Sequence, residues 1–144
     1  MGAGAAAGVC VLTWFVGLSW YDVTQRRLPN WLTVPGAAVI LASATAVGHG
    51  APALAGATSL FAIYLVLHLI APAAMGGGDV KLAIGIGALT GAFGIDVWSL
   101  AALGAPLLTA GWALIVSVRR TEKTVPHGPS MCVTAATATA LVIL

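Results

Sequence analysis

The chain has 144 residues, of which 60% are apolar and 7% charged, with a net charge of +2. Its mean hydropathy is +1.02. Ordinary soluble domains are about a quarter charged, so this composition excludes a soluble enzyme and a disordered chain. It also excludes a nucleic-acid binder, which needs a basic patch, and leaves a small polytopic membrane protein.

Charges are absent from residues 1–21, 28–78, 82–95, 97–118 and 124–144. A membrane helix needs about 20 mostly apolar residues. The longest run therefore holds two spans, broken at Gly48-His49-Gly50-Ala51-Pro52. The expected fold is an all-α bundle of about six transmembrane helices. In chain order they cover 2–21, 31–48, 53–72, 79–95, 97–118 and 128–144, within one integral-membrane domain spanning 1–144. The first run reads as a mature helix rather than a cleaved signal, because the first basic residue is Arg26 and a positive n-region is missing.

Six spans put Arg26 and Arg27 in the first loop, Lys81 after the third, and Arg119, Arg120 and Lys123 in the fifth. All six basic residues then fall on one side, which the positive-inside rule makes cytoplasmic. Both termini are expected outside the cytoplasm. Gly4–Gly8 and Gly87–Gly91 are small-xxx-small ridges suited to close helix contact. Trp14, Trp20, Trp31, Trp98 and Trp112 read as interfacial belts.

Two of the four acidic residues are conspicuous. Asp22 closes helix 1 and Asp79 opens helix 4, so both carboxyls sit near the cytoplasmic boundary. An ionisable group at membrane depth costs at least about 2.5 kcal/mol and is a functional candidate by default. If helices 1 and 4 are neighbours, the carboxyls meet. Like charges about 3 Å apart cannot both ionise, so one becomes an acid and the other a base. That pairing suits water attack on an amide. Gly76-Gly77-Gly78 before Asp79 predicts unwound backbone, bare enough for another peptide to approach.

Gly76-Gly77-Gly78-Asp79 resembles the GxGD signature of intramembrane aspartyl proteases, and Gly76 through Lys81 the GxGDxK form of type IV prepilin peptidases. Asp22, followed at seven residues by Pro29-Asn30 with Arg26-Arg27 between, looks like that family's first-aspartate motif. Val125-Pro126-His127-Gly128-Pro129 resembles its late P-x-G-P element, with His127 where an aromatic is usual. The resemblance implies an aspartic endopeptidase in the bacterial inner membrane, multi-pass, with its active site near the cytoplasmic face. Asp22 and Asp79 would be catalytic and Gly76, Gly77 and Gly78 the active-site loop. Lys81, Pro29, Asn30, Pro126, Gly128 and Pro129 would be supporting motif residues. The implied partners are the lipid bilayer and a pilin-like precursor with a basic leader and an apolar helix. Larger members carry a cytoplasmic domain with a cysteine zinc site and methylate the new N-terminus. With only Cys10 and Cys132, this chain resembles a short form with peptidase activity alone.

The other polar residues have simpler expectations. Lys81 reads as a snorkelling anchor, Asn30 as the cap of helix 2, and Asp96 as the cap of helix 5. Glu122 reads as a solvated loop charge, and His68 as a polar contact between helices. His49 and His127 fall in loops. No histidine or cysteine spacing suggests a metal, no cofactor is expected, and Cys10 and Cys132 lie at different depths. A small proton- or cation-coupled transporter using the same aspartates, or a non-enzymatic assembly subunit, remains an alternative.

Overall fold

A computed structural model describes residues 2–119 and 125–143. The described residues form six α-helices and no strand: α1 (Gly2–Gln25), α2 (Asn30–Ala46), α3 (Gly50–Ile70), α4 (Gly77–Ala92), α5 (Ile95–Arg119) and α6 (Gly128–Ile143). The bounds fall within a few residues of those expected. Arg120, Glu122, Lys123 and Leu144 lie outside the described residues.

Among the described residues, three helical segments are long and apolar enough to cross a membrane: Gly4–Gln25, Gly50–Ile70 and Ile95–Arg119. α2 and α6 are shorter apolar helices. Large apolar side chains face outward, among them Val9 and Val16 on α1, Leu69 and Ile70 on α3, and Leu103 and Leu107 on α5. Such a surface is suited to hydrocarbon, and the chain is a helical membrane bundle.

α4 lies at the centre and touches α2, α3, α5 and α6. Its run of Ala83, Gly85, Gly87, Ala88 and Gly91 explains the position, since small side chains let helices pack on several sides at once. The contact with α3 is backbone on backbone. A Cβ on Gly91 would stand 2.6 Å from the Pro52 carbonyl oxygen and 2.9 Å from the Gly56 Cα. The Gly87 ridge thus packs as expected. The Gly4–Gly8 ridge does not: both glycines face open space.

α1 touches α2 and α6 but makes no close backbone contact with α4. The gap is bridged by Trp14. Its ring stands over Gly36 of α2 and Gly85 of α4, and its Nε1 donates to the Leu32 carbonyl at 2.8 Å. Trp98 is likewise internal, donating from Nε1 to the Gly56 carbonyl at 3.0 Å. Both rings are half-buried between helices, whereas Trp20, Trp31 and Trp112 are exposed. Each internal indole has a carbonyl for its N–H, which burial requires.

Candidate functional site

The connection from α1 to α2 is four residues long and turns sharply. Arg26 adopts φ 53°, a left-handed conformation that costs a non-glycine residue about 1 kcal/mol. Its N–H bonds the Asp22 carbonyl at 3.0 Å and ends α1. α1 therefore runs past Asp22, which lies in its last turn rather than at its end.

Pro29, in extended conformation, is the N-cap of α2, and no side chain caps that helix. Asn30 is thus the first helical residue, not the cap expected of it. Its Oδ1 accepts instead from Lys81 Nζ at 2.8 Å. Lys81 is accordingly more than a snorkelling anchor, since it ties α4 to the start of α2. The bond is exposed and contributes modestly. Lys81→Met should cost under about 1 kcal/mol of stability, measured by thermal unfolding in detergent.

Only Gly76 of the glycine triplet is unwound. It is the extended N-cap of α4, at φ −75° and ψ 148°, while Gly77 and Gly78 form the first turn. Gly78 is also not left bare: a Cβ there would meet the Leu28 Cβ at 3.0 Å. Gly76 and Gly77 have more room, with the nearest atoms at 3.6 and 4.0 Å. Asp79 is the third helical residue, in the first turn of α4, and its carboxyl lies close to Gly76, whose N–H favours the ionised form.

Asp22 is held from another helix. The Gly128 N–H, at the start of α6, donates to Asp22 Oδ2 at 2.9 Å. A side chain on Gly128 would collide with that carboxyl, its Cβ 2.7 Å from Oδ2. Asp22 and Asp79 are each 8% exposed. They line one cavity of about 800 Å³, and the charge on Asp22 is felt at Asp79. They share it although their helices are not in direct contact, because Trp14 holds those helices apart lower down. Gly76, Gly77, Gly78, Pro29, Asn30, Lys81 and Pro126 line the same cavity. Pro129 instead lines an adjoining apolar groove with Val23, Trp112 and Val133.

Three partners were not foreseen from sequence. His68 Nδ1 meets the Met75 carbonyl at 2.7 Å and holds the segment that leads into Gly76. Tyr64, one turn before it on α3, meets His127 Nε2 at 2.9 Å. Thr109 of α5 meets His127 Nδ1 at 2.5 Å. The available signal was the i, i+4 spacing of Tyr64 and His68, which puts both on one face of an otherwise apolar helix. Asp96 lies in the first turn of α5, one residue inside the helix rather than at its cap. Cys10 and Cys132 are both free thiols.

This arrangement defines a class: a helical membrane protein with two carboxyls on a polar cavity at one end of its bundle. Residues 9–118 match the model of the type IV leader peptidase family, and the chain belongs to that family. The match includes both aspartates and stops short of the Pro126–Pro129 element. No curated protein and no solved structure matched the chain.

Proposed function

We propose that this chain is an aspartic endopeptidase that removes the leader of type IV pilin-like precursors, with Asp22 and Asp79 as its catalytic pair. The carrying observation is the pair of buried carboxyls on one roomy cavity, with Asp22 tied to the Gly128 N–H. The ionised carboxyl takes a proton from water as the oxygen attacks the scissile carbonyl carbon. The protonated carboxyl gives its proton to the carbonyl oxygen. Collapse of the tetrahedral intermediate expels the amine, which takes up a proton, and the carboxyls return to one shared proton. The extended Gly76 and uncrowded Gly77 leave room for a substrate backbone beside Asp79. The four-residue α1–α2 connection has no room for an inserted zinc domain, which favours peptidase activity alone. Among the described residues the buried carboxyls, Asp22 and Asp79, both line the one cavity, whereas a proton or cation relay needs ionisable groups across the depth of the bundle.

The test is purified protein in liposomes with a full-length precursor carrying a basic leader and an apolar helix. A single cut after the leader, located by N-terminal sequencing, is expected. An intact precursor would defeat the assignment.

Arg26, Arg27 and Lys81 all line the cavity, so the positive-inside rule puts it on the cytoplasmic side. Reporter fusions should place both termini and the 47–49 turn outside the cytoplasm, and 26–29 and 71–76 inside. A cytoplasmic C-terminus would contradict this orientation.

A further inference from the structure

The hydrogen bonds around His127 fix where its ring proton lies. Thr109 Oγ1 donates to the Ala105 carbonyl at 3.0 Å, so its oxygen is left to accept from His127 Nδ1–H at 2.5 Å. Nε2 is then bare and accepts the Tyr64 O–H at 2.9 Å. With the proton on Nε2 instead, the Tyr64 hydroxyl would have no acceptor among the described residues. Tyr64 is only 2% exposed, where an unmet hydroxyl is costly. The neutral ring also suits its surroundings, because burial holds the His127 pKa below its usual value.

His127 is therefore fastened to α3 on one side and α5 on the other. The next residue, Gly128, supplies the N–H that holds Asp22. We propose that His127 is a positioning residue: pinned by Tyr64 and Thr109, it fixes the turn that delivers the Gly128 N–H to the Asp22 carboxyl. Without the pins, the turn and the carboxyl gain freedom together. Misplacement of a reacting group by about 1 Å can cost about 100-fold in rate. This inference rests on the catalytic role proposed for Asp22, but its structural half can be measured without catalysis.

The variants are Tyr64→Phe and Thr109→Val, which keep shape and each remove the bond to His127 (Thr109→Val also the one to the Ala105 carbonyl), His127→Ala, and the double variant Tyr64→Phe/His127→Ala. Each single change should lower kcat for precursor cleavage about 10-fold and leave KM within about twofold. The double variant should fall no further than His127→Ala, because both changes break one linkage. In parallel, amide hydrogen exchange at His127, Gly128 and Ser130 should speed up about 10-fold or more in all four proteins. Unchanged exchange and unchanged kcat in Tyr64→Phe and Thr109→Val would overturn the proposal. So would a rise in KM alone, or additive losses in the double variant. If Asp22→Asn still cleaves, the catalytic reading fails instead, and exchange at Gly128 continues to decide whether the linkage exists.

Discussion

Asp22→Asn and Asp79→Asn should each reduce precursor cleavage by about 1,000-fold or more, read as leader removal on a gel. General acid–base catalysis by one group is typically worth about 10² to 10⁴-fold. In the proposed mechanism a single substitution removes both functions, because the pair would work by exchanging one proton. The fold should survive. An asparagine Oδ1 can still accept the Gly128 N–H at position 22. Removing a charge from membrane depth eases insertion. Asp96→Asn is the internal control. It is exposed in the first turn of α5, where its loss costs only about 0.5 kcal/mol of helix-dipole interaction. Near-normal processing by either cavity variant, or equal damage from Asp96→Asn, would refute the pairing.

Gly87→Val should be the most destructive change outside the cavity. A Cβ at Gly87 would stand 2.9 Å from the Gly56 carbonyl carbon and 3.0 Å from the Ala57 Cα, with the Gly56 oxygen closer still. These are backbone atoms of α3, so no rotamer change can make room. Overpacking typically costs about 1–3 kcal/mol, and a backbone obstacle belongs at or above the top of that range. Thermal unfolding in detergent should show a large loss, or the protein should fail to accumulate. Gly8→Val and Gly111→Val supply the comparison, since both glycines face open space. Their unfolding should shift by no more than about 0.5 kcal/mol. Equal effects at all three positions would mean that close approach of α3 and α4 does not matter.

The helices were legible because charge-free runs and membrane thickness leave little choice of boundary. The two aspartates were legible because ionisable groups are so scarce in this chain. What escaped was set by tertiary packing. Asn30 follows Pro29 like a cap, yet the proline takes that position and frees the amide for Lys81. Gly78 suggests open backbone, but Leu28, which shares no pattern with it, closes over it. The meeting of Asp22 and Asp79 was anticipated, but through contact between their helices. The two instead line one cavity from helices that make no close backbone contact, with Trp14 between those helices. A tryptophan in an apolar helix carries no signal of whether it faces lipid or a neighbour.

The glycine seam between α3 and α4 has a mechanical consequence. Where backbones touch without intervening side chains, neither helix can slide or tilt without carrying the other. α3 and α4 therefore move as one body, and Asp79 is built into it. α1, which bears Asp22, has no such seam. It leans on the α2 and α6 side chains and on one indole ring. The two carboxyls thus belong to parts of unequal stiffness, a fixed anvil and a compliant jaw. If an incoming peptide needs more room than the resting cavity offers, the jaw yields. The spacing between the carboxyls is then restored when α1 returns to the Gly128 N–H, which His127 holds to α3 and α5.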